Sequence, residues 1–115
     1  MWQVDFYKTS TGKIPLTEFM DSLPKKLKVK ALSDIGLLEE LGTDIRLPYS
    51  KHLKNGLFEL RIQQSNNNVR IFYFFFIEKK IILTNGFIKK TQKIPSKEIE
   101  RGLMYKEDYE RRFKK

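Results

Sequence analysis

Residues 71–77, Ile71-Phe72-Tyr73-Phe74-Phe75-Phe76-Ile77, are seven consecutive apolar positions, and few folds can house such a run. It is too short to cross a bilayer, which takes roughly 20 residues. Taken from Val69, the segment is apolar on both faces except at Arg70, so it belongs in the middle of a sheet. Its neighbours supply that sheet. Leu57 to Gln64 alternates, with Phe58, Leu60 and Ile62 on one side and Glu59, Arg61 and Gln63 on the other. Ser65-Asn66-Asn67-Asn68 is a polar turn that returns the chain as a hairpin. Glu78-Lys79-Lys80 is a second turn, and Ile81 to Ile88 reads as the next strand.

The flanking segments read as one more strand and three helices. Trp2, Val4 and Phe6 alternate with polar residues, and turn residues from Lys8 to Gly12 end that strand. Pro15 sits where a helix begins, and Leu16 to Leu23 makes about two turns. Pro24 opens a longer helix in which Leu27, Ala31, Ile35, Leu38 and Leu41 form one apolar stripe, with Gly42 as its C-terminal cap. Thr43 to Asn55 has no periodicity and reads as a connecting loop. Pro95 opens a charged helix running towards Phe113, and Gly102 within it predicts a loosened helix. The expectation is a single α+β domain, residues 1–115, with an antiparallel sheet (a meander plus the N-terminal strand) packed against helices.

Charge narrows the partners. The formal net charge is +9, from 23 Lys and Arg against 14 Asp and Glu, and such a surplus draws in polyanions. Nucleic acid is the first candidate, an anionic membrane the second, an acidic protein the third. Cysteine is absent and His52 is the single histidine, so no transition-metal site is expected and no cofactor motif is seen. Nothing at the N-terminus resembles an export signal, which makes a cytoplasmic location the expectation.

Four features could carry chemistry or meet a nucleic acid. Pairing across the Ser65–Asn68 turn sets Arg61 close to Arg70 and Phe72. Two guanidiniums on one sheet repel unless an anion lies between them, and their planar forks match phosphate oxygens. The alternative is that each pairs with a local carboxylate, Glu59 being nearest. Lys89, Lys90 and Lys93 cluster just beyond the last strand; they are either a solvated loop or cations crowded enough for one lysine to move a proton. His52, beside Lys54 in the preceding loop, is either idle or a base. Phe87 either stacks on an unpaired base or belongs to the core.

The segments Lys54-Asn55-Gly56-Leu57-Phe58-Glu59-Leu60-Arg61, Val69-Arg70-Ile71-Phe72-Tyr73 and Gly86-Phe87-Ile88-Lys89-Lys90-Thr91-Gln92-Lys93-Ile94-Pro95 together resemble the phage-derived HigB-like toxins of the RelE/ParE superfamily. The resemblance implies the microbial RNase toxin fold, ribosome-dependent cleavage of messenger RNA without a metal, and a hetero-oligomer with a cognate antitoxin. It implies that Arg61 and Arg70 hold the scissile phosphate and that Lys89 and Lys90 serve the chemistry, Lys90 as the proton carrier. His52, Lys54, Tyr73, Phe87 and Lys93 would meet the RNA. Many nucleases of the superfamily carry Tyr or His near the end of the last strand, where this chain has Phe87 and then Lys89-Lys90. The alternatives are a ParE-like toxin that inhibits gyrase and a non-catalytic nucleic-acid-binding module.

Overall fold

The computed structural model describes residues 1–114 and has an α+β architecture. The apolar run occupies the centre of a five-stranded sheet as strand β4 (Asn67–Phe76), between β3 (Leu57–Gln64) and β5 (Lys80–Ile88). Both neighbours are antiparallel to it. The N-terminal strand β1 (Gln3–Phe6) lies on the far side of β5 and runs parallel to it, so the sheet is mixed rather than wholly antiparallel. Parallel pairing needs a crossover, and the chain supplies one with α1 (Pro15–Asp21), α2 (Lys25–Leu41) and the hairpins that follow.

The expected loop at Thr43–Asn55 is a loop only in part. After a 3-10 turn at Gly42–Asp44, Ser50–Lys54 forms an edge strand, β2, antiparallel to β3. Asn55 and Gly56 take positive φ values of 50° and 78° and make the tight turn between the two strands. The next turn is also tighter than the sequence implied. It spans Ser65 and Asn66 alone, so Gln64 pairs with Asn67 and Arg61 lies directly opposite Arg70.

Each sheet face has its own cover. Leu60, Ile62, Val69, Ile71, Tyr73 and Leu83 pack under α1 and α2, against the stripe that includes Leu27, Ala31 and Leu38. Phe72, Leu57 and Phe87 face the opposite way, towards Ile99 and Leu103 of the last helix, α3 (Ser96–Phe113). Phe74, Ile82 and Tyr7 continue that second layer against Tyr105 and Tyr109. Fully burying a side chain of this size stabilises by about 1.5–3 kcal/mol, which is why the run around Phe72 fixes the sheet's centre.

Gly102 does not loosen α3. A Cβ there would come within 2.9 Å of Leu57 Cδ2 and 3.0 Å of Phe72 Cδ2. The missing side chain lets the helix axis approach the sheet. Gly42 combines a close approach with φ of 51°, directly against the Trp2 indole, while its N–H caps α2 by donating to the Leu38 carbonyl.

Candidate functional site

α3 covers only one end of its sheet face. Towards the other end, one rung sets Arg61 on β3 directly beside Arg70 on β4, with Phe87 on β5, under α3, on the far side of Arg70. The two arginines share a rung but not an environment. Arg70 is 5% exposed and its Nε lies 2.6 Å from Oε1 of Glu59, itself 4% exposed. Burial pushes the Arg70 guanidinium below the usual arginine range; Glu59 pulls it back up, and neighbouring Arg61 pushes it down again. Guanidinium is a strong enough base to stay charged regardless. The local-carboxylate alternative therefore holds for Arg70. Arg61 is half-buried and has no ion-pair partner among the described residues.

Two recesses meet at this rung. One, of about 290 Å3, is lined by Lys30 and Asp34 of α2, Tyr49, Arg61, Gln63 and Arg70, among others. The other, of about 640 Å3, is lined by the Asn66–Asn68 turn, Arg70, Lys89, Lys90 and Gln92, among others. Arg70 and Asn68 belong to both, so the recesses join into one groove with Arg70 at its middle and Arg61 in its smaller arm. The backbone closes one side of it, since Lys89 N–H donates to the Asn68 carbonyl at 2.7 Å and extends the ladder past the end of β5. Such a groove, polar and cationic on both sides, suits a chain of phosphates.

Residues 18–106 match the family of phage-derived Gp49-like proteins (DUF891), most of this chain and every residue of the groove. The chain belongs to that family. It is a toxin-like family of the RelE/HigB type. No curated protein matches the chain.

Within the Gp49-like chain, Arg61 and Arg70 share the smaller recess, and Arg70 shares the larger one with Lys89 and Lys90. The five expected RNA contacts do not join them. Phe87 is 8% exposed and packs edge-on against Phe72 at 5.4 Å, so its ring belongs to the core under α3. Tyr73 is fully buried on the other sheet face, where its hydroxyl hydrogen-bonds Ser50 and burial pushes its phenol pKa up. His52 pairs in register with Phe58 and so also points to that opposite face, where its Nε2 accepts a hydrogen bond from the Gly56 N–H at 3.3 Å. Lys54 stands at the far end of β2 from the groove, opposite Leu57. Lys93 is exposed farther along the loop, its carbonyl accepting from Thr91 Oγ1 at 2.8 Å.

Other groove residues were missed in the sequence. Asp34 is 5% exposed on the buried stripe of α2, with Lys30 Nζ at 3.0 Å. The signal was there: a carboxylate three residues after Ala31, on the helix face otherwise given to Leu27, Ile35 and Leu38. No helix is long and apolar enough to cross a membrane among the described residues.

Proposed function

We propose that this Gp49-like chain is the toxin of a toxin–antitoxin pair and that it cleaves messenger RNA on the ribosome. The observation that carries the reading is the direct opposition of Arg61 and Arg70 in a groove whose far wall holds Lys89 and Lys90. Arg61 has no carboxylate partner among the described residues, and a phosphate between the two guanidiniums removes their repulsion. In the reaction the 2′-hydroxyl gives up its proton to solvent, its oxygen attacks the adjacent phosphorus and the bond to the 5′-oxygen breaks. The products are a 2′,3′-cyclic phosphate and a 5′-hydroxyl. Arg61 and Arg70 hold the non-bridging oxygens as charge builds on them. Lys90, as an ammonium, gives its proton to the leaving oxygen, and Lys89 adds positive charge beside it. The fold contributes placement: strands fix the arginines, and the backbone bond from Lys89 to Asn68 fixes the start of the lysine loop. An acidic antitoxin would neutralise the chain by covering this groove.

The test is to induce the chain in growing bacterial cells and map new 5′ ends on a translated message. Cuts within codons that vanish when translation of that message is blocked, and that Arg61→Ala reduces by about 100-fold, are the expected result. Growth arrest with intact messages and accumulated DNA breaks would instead identify a gyrase poison. Neither arrest nor cuts would leave a binding module.

A further inference from the structure

The geometry points to the smaller recess beside the arginine pair as a subsite for one RNA base, selective for guanine. This inference rests on the RNA reading and names the substrate preference of that same groove. Asp34 occupies a position that helix packing alone would give to an apolar side chain, and an isolated carboxylate there is costly. Among the described residues only Lys30 reaches that carboxylate, through Oδ1 at 3.0 Å. The result is an acceptor and a donor side by side in a recess of about 290 Å3. Arg61 and Arg70 line the same recess, so a nucleotide with its phosphate on the pair has its base within reach of Asp34. Tyr49, 43% exposed at the recess wall, offers an aromatic face for stacking.

Base edges differ in how they meet such a pair. Guanine alone presents two adjacent donors, N1–H and the N2 amino group, which a carboxylate accepts with both oxygens. Its O6 stands next to N1, where Lys30 Nζ can donate. Adenine and cytosine set one amino donor beside a ring nitrogen lone pair, which faces the second carboxylate oxygen with repulsion. Uracil offers a single N–H between two carbonyls and meets the same conflict. Selectivity follows as much from these clashes as from the guanine bonds.

The experiment titrates the intact protein with 5′-GMP, 5′-AMP, 5′-CMP and 5′-UMP, observed by calorimetry. GMP should bind about tenfold more tightly than the other three, as one good paired contact would give. Asp34→Asn should bring GMP to the level of the others while leaving their shared, phosphate-driven affinity in place. Lys30→Met, which keeps α2 packed, should halve the selectivity or more. Equal affinity for all four nucleotides, no measurable binding, or a preference that survives Asp34→Asn would overturn the subsite. If Asp34→Asn does not fold, the wild-type ranking and Lys30→Met still decide. A protein that prefers GMP yet cuts no message would keep the subsite and lose the cleavage reading; one that cuts messages without base preference would do the reverse.

Discussion

Arg61 and Arg70 face each other across one rung, but removing them should have different costs. Arg70 and Glu59 are a buried pair, and deleting either partner leaves the other charge desolvated and alone. Glu59→Ala should therefore lower stability by about 3 kcal/mol, read from urea unfolding, even though Glu59 touches no substrate in the proposed reaction. Arg61 has no such partner among the described residues. Arg61→Ala should change stability by no more than about 0.5 kcal/mol while lowering RNA cleavage by about 100-fold, the usual loss for one donor to a developing charge. Alternation along β3 was enough to find Arg61 and its neighbour Glu59 in the sequence. It could not show which arginine the carboxylate would take, because that depends on the exact turn at Ser65–Asn66. Asp34 was hidden for a different reason: a helical pattern is judged by its apolar majority, and one carboxylate within the stripe reads as noise.

Helix α3 is held to the sheet at both ends by unlike means. Near its first turns the device is a missing side chain, Gly102 against Leu57 and Phe72. Helix propensity alone would have Gly102→Ala stabilise by about 1 kcal/mol; here it should destabilise by about 1 kcal/mol or more, because the methyl overpacks a close contact, and urea unfolding gives the sign directly. Towards its C-terminus the device is polar. Tyr7 donates its hydroxyl to Asp108 Oδ2 at 2.6 Å, and Arg112 bonds both Asp108 and the Lys8 carbonyl. The Tyr7 hydrogen bond, helped by Arg112, holds the Asp108 carboxyl below the usual carboxylate range, so its contribution to stability is present above the unfolded-state pKa and lost as acid titrates it. Burial and Asp108 push Tyr7 up to about 12, so its contribution is present below the unfolded value and fades as pH rises towards that figure. Thermal melts of Asp108→Asn and the wild type should differ most near neutrality and converge at both extremes. The helices and the central hairpins were legible because period and turn chemistry agreed there. Strand β2 was not: its only apolar residue is Leu53, so it carries no alternation, and its one local sign was the Asn55-Gly56 turn that follows it.

Over the whole molecule, the surplus of +9 and the groove are separable contributions to binding. Affinity for single-stranded RNA should fall steeply with salt, and Lys89→Ala should reduce the slope of log affinity against log salt by about 0.7, one phosphate contact. Lys54→Ala, at the far end of β2, should leave that slope unchanged. Net charge was readable from composition, but which basic residues meet in the groove was not, because strand register decides it. The parallel pairing of β1 with β5 joins residues 3–6 to residues 80–83, and this imposes an order on the making of the protein. A nascent chain cannot close its sheet, or set Arg70 and Lys90 on the walls of one recess, until residue 90 has been synthesised. Under the proposed function, the ribosome that translates this message is thereby spared a finished nuclease during elongation. Stalled nascent chains released from the tunnel only as far as Phe76 should remain protease-sensitive, and those released past Phe113, with α3 free to cover the second face of the sheet, should acquire resistance in one step.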